Sequence, residues 1–446
     1  MKLWQKNTTA LASVEQFTVG KDREFDELLA PFDVLGSMAH VTMLQEVGLL
    51  TEEEKTLLVN ELRAIYLEIE SGKFSIGADV EDVHSQVELL LTERLGDVGK
   101  KIHSARSRND QVLVDVKLYL RFRLENLVKK AQELFELLLT QSENFKNDLL
   151  PGYTHLQLAM PSSFGLWFGA YAESMVDDII TLRAAYEVAN KNPLGSAAGY
   201  GSSFPINRKK TTQLLGFSDL NYNVVYAQMG RGKAERITAQ ALCNLADTLA
   251  KLSMDQCLFL NQNFGFVSFP AELTTGSSIM PHKKNPDVFE LVRSHCNRIK
   301  ALPNEIMLMT TNLPSGYHRD LQLLKEHLFP AFDTLEDCLD MVHLMLSNIE
   351  VNKDILEDSK YKYLFSVEEV NKAVLNGMPF RDAYKKIGLD IEQGSYTYAT
   401  GVEHTHEGSI GNLCNEEIRR MMLNELEKFG FEEVNAALNQ LAGKAG

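Results

Sequence analysis

Residues 231–256 read RGKAERITAQALCNLADTLAKLSMDQ. Ile237, Ala241, Leu242, Leu245, Leu249 and Leu252 recur mostly at spacings of three and four, with charged and small residues between them. That rhythm draws one apolar stripe along a single long helix. Residues 112–146 repeat it, with Leu120, Leu124, Leu127, Leu134, Leu138 and Leu139 set among lysines, arginines and glutamates. Two more long helices are expected, over about 162–189 and about 286–311. Each would be roughly twice the mean helix length of about 11 residues, and helices that long bury their stripes by lying side by side. Strand signals are scarce. The fold class is therefore all-α, built on a central bundle of long helices.

The rest of the chain is arranged around that bundle. Shorter helices are expected in the first hundred residues, and after about residue 357 the pattern becomes short and mixed. On this reading residues 1–105 form an N-terminal helical domain, 106–357 the central bundle and 358–446 a small C-terminal helical domain. No internal repeat or low-complexity linker is present.

Composition narrows the function. Among the 446 residues, 61 Asp and Glu outnumber 45 Lys and Arg, for a net charge of -16. That excludes a general nucleic-acid or anionic-membrane binder, which needs a basic face. An anionic small molecule needs only a local basic pocket. Cys243, Cys257, Cys296, Cys338 and Cys414 are odd in number, far apart and without a CxxC pair, which fits reduced thiols better than disulfides or a zinc site. The N-terminal MKLWQKNTTALASVEQF has no apolar core of leader type. The longest uncharged run, residues 152–172, holds His155, Gln157 and Pro161, so no membrane span is read there. A cytoplasmic protein is expected.

Four polar stretches interrupt the helices. TTGSSIMPHKKNPD (274–287) packs Ser277, Lys283 and Asn285 between prolines. A serine is a poor base unless donors or positive charge stabilise its alkoxide, and Gly276, the neighbouring N–H groups and Lys283 could do so. The bland alternative is a surface loop with solvated lysines. A phosphate loop is excluded by the missing GxxxxGK[ST] pattern. HSARSRNDQ (103–111) holds Arg106 and Arg108, which converge on one ligand only in a loop or helix start; otherwise it is a charged helix start capped by Ser107 or Asn109. GYTHLQ (152–157) holds Thr154 and His155, and a lone histidine is more often structural. NLPSGYHRDLQLLKE (312–326) holds Tyr317, Arg319, Gln322 and Lys325, with the last three on one helical face or on a solvated helix start. Glu290 follows the loop at a helix start, where the dipole favours a carboxylate. His404 and His406 in HTHEGSIGNL (404–413) have no evident third ligand, so no metal is expected. Together these residues supply a base, an acid and several cations. That set suits removal of a proton beside a carboxylate, where a doubly charged aci-carboxylate must be stabilised and a leaving group protonated.

GSSIMPHKKNP (276–286) resembles the signature of the fumarase/aspartase superfamily, and HSARSRNDQ, GYTHLQLAMP and KKNPD resemble its argininosuccinate lyase branch. The resemblance runs from DVLGSMAH (33–40) to GMPFRDAYKKIG (377–388). It implies a three-domain fold, a homotetramer whose long helices form the core, sites built from three subunits, and elimination of fumarate with no metal and no organic cofactor. It implies Ser277 as base, Lys283 on the aci-carboxylate, Asn285 and Thr154 on a substrate carboxylate, and His155 paired with Glu290 on the acid side. Arg108 and Asn109 would grip the succinyl part, while Tyr317, Arg319, Gln322 and Lys325 line the site. Asp22 stands where that family carries a serine, so Asp22 or Asp26 would face a guanidinium. YAQMGRGKAER (226–236) lacks the family's Arg-Asp pair. The alternatives are another fumarate-releasing lyase, such as adenylosuccinate lyase, or a non-catalytic structural protein on the same fold. The second would be free to lose the serine, lysine, histidine and glutamate that are all present here.

Overall fold

The computed structural model describes residues 12–444. The segment 1–11, where the leader reading begins, lies outside the described residues. Helices of eight residues or more run in the order α1 (Ala12–Val19), α2 (Asp22–Glu46), α3 (Glu52–Glu70), α4 (Val83–Leu95), α5 (Arg108–Asn144), α6 (Phe164–Ala189) and α7 (Lys233–Leu260). They continue with α8 (Asp287–Ile299), α9 (Leu302–Met309), α10 (Leu324–Ser347), α11 (Ser366–Leu375), α12 (Phe380–Glu392), α13 (Asn415–Leu426) and α14 (Phe431–Ala442). Among the described residues the protein is all-α apart from one hairpin and two two-residue pairings, Lys191–Asn192 with Asp219–Leu220 and Val267–Ser268 with Glu350–Val351. Among the described residues no helix is long and apolar enough to cross a membrane.

The bundle closes on itself. α5 packs along α6, α6 along α7, α7 along α8 and α10, and α10 returns to α5. The leucines read from the sequence are its core: Leu124, Leu127, Leu134, Leu138, Leu242, Leu245 and Leu249 are fully buried. Each such side chain contributes about 1.5–3 kcal/mol relative to exposure. α2 lies across α5, with Gly36 at the crossing. A Cβ there would meet Val114 Cγ1 at 3.2 Å, so the glycine sets how closely the two helices approach. α13 packs on α6 and α14 on α2.

Three expectations change. The helix expected over 286–311 is two helices, α8 and α9, because Pro303 has no N–H to give and its ring would clash with the carbonyl of Ile299, where α8 stops. The first hundred residues are not confined to short helices: α2 runs for 25 residues, its periodicity hidden by Pro31 and by buried Asp26, Asp33, Ser37 and His40. The polar stretch 152–157, which the sequence shows only as an interruption between helices, belongs to an antiparallel hairpin of β1 (Leu149–Thr154) and β2 (Gln157–Ser163). Its alternation is broken by a bulge at Gly152, where a Cβ would sit 2.7 Å from the Met160 carbonyl oxygen.

Candidate functional site

The hairpin presents His155 and Leu156 as the two-residue turn between the paired Thr154 and Gln157. Both have left-handed backbones, with φ of 52° and 57°. Such turns ordinarily take Asn and Gly, and a bulky L-residue there costs roughly 1–2 kcal/mol. The fold thus holds a strained, exposed histidine at a tip. Behind it, Tyr153 stacks near Phe264 and Phe266, at ring distances of 5.5 and 6.5 Å. This ties the tip to the end of α7.

The loop 274–287 is closed at its base by a bridge between Thr275 and Asn285. Asn285 N–H donates to the Thr275 carbonyl at 2.8 Å, and its side-chain amide reaches Gly276 O at 3.3 Å. Thr275 also donates to Asp287, at the start of α8. Inside the loop Ser277 Oγ accepts the backbone N–H groups of Met280 at 3.2 Å and Ile279 at 3.4 Å. Two donors aimed at one hydroxyl oxygen are what an alkoxide requires. Lys283 is exposed and lines a pocket with Cys257, Leu260, Asn261, His282 and Asn285 at the end of α7. Glu290 is exposed on α8, and no hydrogen bond joins it to His155 within this chain.

A second pocket lies at the other end of α7. It gathers Arg108, Asn109, Tyr317, Arg319, Gln322 and Lys325 with Asp22, Asp26, Glu81, Asp82, His84 and Arg231. Ser107 places the first two: its side chain caps α5, and Asp110 closes the capping box. Asp110 is buried, and its Oδ2 accepts the N–H groups of Gly195 and Ala197, both at 2.9 Å. Burial pushes its carboxyl up to about 6 against those hydrogen bonds. Arg106 and Arg108 diverge: Arg106 donates to Ser37 at 2.9 Å, whereas Arg108 pairs with Glu81 at 3.2 Å and with Asp82. The helix-start reading therefore holds, and the two forks do not share a ligand. Arg319 and Gln322 donate to the Thr18 carbonyl at 3.0 and 3.1 Å, pinning the end of α1. Lys325 is buried between Asp22, 2.6 Å away, and Asp26. Burial alone would lower its ammonium, but the two carboxylates more than offset that and raise it. Asp22 is pushed up to about 6 by burial, which Lys325 only partly relieves. Within this chain both aspartates are thus occupied by Lys325.

Sequence reasoning missed Glu81, Asp82, His84 and Arg231. The first three were visible as GADVEDVHSQ (77–86), a run of acids and one histidine after a glycine. Arg231, which donates to Glu235 at 2.7 Å and to the Leu321 carbonyl at 2.9 Å, marks the position just before α7. Beneath the pocket lies a buried group missed entirely. His84 Nδ1 is 2.6 Å from Asp33 Oδ1 and 3.6 Å from Asp115 Oδ2.

The two pockets are far apart. Arg231 lines one and Leu260 the other, and the 28 residues of α7 between them span about 42 Å at 1.5 Å per residue. The chain thus brings Arg108, Asn109, Tyr317, Arg319, Gln322 and Lys325 together at one end. Ser277, Lys283, Asn285, Thr154 and His155 lie toward the other.

Residues 2–301 match a family described as Lyase. The chain is 61% identical over 443 residues to the argininosuccinate lyase of Bacteroides fragilis, covering 99% of both chains. It is 62% identical over 440 residues to that of Parabacteroides distasonis, again covering 99% of both. The enzyme of Stenotrophomonas maltophilia R551-3 is 38% identical over 94% of this chain and 97% of its own. The fold of this chain is similar to that of an EDDS lyase variant with bound fumarate, with a TM-score of 0.76 and 20% identity over 98% of this chain and 95% of that one. It is also similar to class II fumarase from Schistosoma mansoni, with a TM-score of 0.69 and 15% identity over 93% and 91%. With a family match over residues 2–301 and near-complete coverage of its relatives at about 60% identity, this chain belongs to the argininosuccinate lyases of the lyase family.

Proposed function

We propose that the protein cleaves argininosuccinate to L-arginine and fumarate, a carbon–nitrogen elimination that serves arginine biosynthesis in the cytoplasm. Ser277, as an alkoxide held by the Ile279 and Met280 N–H groups, takes the proton from the carbon beside the succinyl carboxylate. The electron pair passes into the carboxylate, and Lys283 stabilises the resulting aci-carboxylate. As that charge returns, the carbon–carbon double bond forms, the bond to the guanidino nitrogen breaks and the nitrogen takes a proton from the acid side, where His155 and Glu290 act. Thr154, Asn285, Arg108 and Asn109 hold the succinyl carboxylates. Tyr317, Arg319, Gln322 and Lys325 line the remainder. No step requires a metal or organic cofactor.

One observation carries this reading: the base loop has the donors an alkoxide needs, while Arg108 and Asn109, which share the grip on the succinyl carboxylates, sit about 42 Å away along α7. One copy alone leaves the reacting groups apart. A homotetramer, with α7 and its neighbours side by side and each site drawn from several copies, accounts for that separation. The division into residues 1–105, 106–357 and 358–446 follows the same scheme, with the central part supplying the shared core.

The test is fumarate release, followed by ultraviolet absorbance, with argininosuccinate, adenylosuccinate, malate and aspartate in parallel. Turnover of argininosuccinate alone is expected. Turnover of another substrate instead would keep the chemistry and overturn the choice of substrate. Light scattering on the same preparation gives the copy number, for which four is expected.

A further inference from the structure

The mechanism above leaves the buried group beneath the Arg108 pocket without a use. Asp33 comes from α2, His84 from α4 and Asp115 from α5, so three helices converge there. Asp33 and Asp115 are 2% and 0% exposed. Asp33 Oδ2 and both Asp115 oxygens are buried without a hydrogen-bond partner, and Arg106 Nε beside them is likewise unpartnered. Burying three ionisable side chains in a helical core is costly unless they are paired and used.

The neighbouring charges show what this group can offer. Every other cation lining the pocket is already answered by a carboxylate: Arg108 by Glu81 and Asp82, Arg231 by Glu235, Arg319 by Glu81, and Lys325 by Asp22 and Asp26. His84 differs in geometry. Its carboxylate partners lie behind the ring, on Nδ1, so Nε2 is the atom left to meet a ligand in the pocket that His84 lines. Burial would lower the imidazole, but Asp33 outweighs it and holds the ring toward its charged form. Burial, with the charge of Asp33, raises the Asp115 carboxyl well above the usual range. The three side chains are close enough to hold a metal ion. The 2.6 Å His84–Asp33 contact already takes up the imidazole nitrogen, and the Arg106 charge acting on both aspartates disfavours a further cation in that place.

We propose that His84 is a further substrate-binding residue: its Nε2–H, aimed from behind by Asp33, donates to a carboxylate of the substrate bound beside Arg108 and Asn109. The proposal rests on the reaction proposed above, whose substrate carries carboxylates at both ends. A cationic donor with a fixed direction reads a carboxylate better than a mobile surface lysine does.

Calorimetry with the full-length oligomer tests this, using fumarate and L-arginine as separate ligands. His84→Asn keeps a donor toward Asp33 and removes Nε2–H. It is expected to weaken one ligand at least tenfold and the other less than threefold. A loss confined to fumarate assigns His84 to a succinyl carboxylate, and one confined to arginine assigns it to the amino-acid carboxylate. Asp33→Asn should reproduce that selective loss. Asp115→Asn, an amide replacing a carboxyl that burial pushes toward its neutral form, should stay within threefold on both ligands. Unchanged binding in His84→Asn, or equal weakening of both ligands with a lowered melting temperature, would overturn the proposal, as would wild-type protein that binds neither ligand. Fumarate release from argininosuccinate by the wild type is read alongside. If it is absent while fumarate or arginine still binds, the reaction fails and His84 is still decided by the binding data.

Discussion

Ser277 Oγ lies 3.2 Å from the amide nitrogen of Met280 and accepts its hydrogen, with the Ile279 N–H beside it. The serine is held by the backbone of its own loop rather than by a neighbouring histidine. Ser277→Ala should therefore lower fumarate release by at least about 10²–10⁴-fold, the range for loss of a general base. Copy number and melting temperature should stay near wild type, since the side chain packs against nothing in the core. Activity within tenfold of wild type would remove Ser277 as the base.

Gly152→Ala addresses how His155 is held. The added Cβ would sit 2.7 Å from the Met160 carbonyl oxygen, so β1 or β2 must move. Misplacement of a reacting group by about 1 Å can cost around 10²-fold. A fall in kcat of that order is expected, with a loss of about 1–3 kcal/mol in stability. Gly388→Ala, inside α12 with nothing within 4 Å, is the control: it should leave kcat unchanged and gain up to about 1 kcal/mol in stability. Equal kinetics in the two variants would dissociate the bulge from the site.

Lys325→Met removes the cation between Asp22 and Asp26 and leaves the half-buried Asp22 and the buried Asp26 carboxylates uncompensated. Breaking a buried ion pair in this way costs about 3–5 kcal/mol, measurable by urea unfolding. Adding Asp22→Asn and Asp26→Asn should recover most of it, because the uncompensated charges are then gone. A Lys325→Met protein as stable as wild type would mean the cluster is open to water.

Asp178, on α6 and 6% exposed, has its carboxyl pushed up to about 6 by burial, with Asp177 and Asp247 adding to the rise and Thr248 opposing it. Its folded value lies above the unfolded one, so between about pH 4 and 6 the native state binds more protons. Stability therefore falls as pH rises through that window, by about 3 kcal/mol for a shift of roughly two units. Asp178→Asn should flatten this slope and be the more stable protein at pH 7. Parallel pH profiles for the two proteins would show that Asp178 ionises normally.

The legibility of the chain follows from how local each signal is. α5, α6 and α7 were readable because their stripes repeat every three to four residues over seven turns or more. The reacting loop was readable because its residues adjoin in sequence. α2 was obscured, since polar groups such as Asp33 and His40 are buried in it to serve contacts from other helices. The hairpin was not legible as strands because Pro151, Gly152 and Pro161 mask its alternation. Asp33, His84 and Asp115 are 51 and 31 residues apart. Only the convergence of α2, α4 and α5 brings them together, and no spacing in the chain announces it.

The length of α7 has a genetic consequence. If each site borrows one end of that helix from one copy and the opposite end from another, a substitution confined to the side chains of one end leaves the other half of the site sound. A chain crippled at Ser277 and a chain crippled at Arg108 each carry one sound half. Co-expressed, they would assemble mixed oligomers in which some sites receive both sound halves. Two null alleles could then restore growth together where neither does alone.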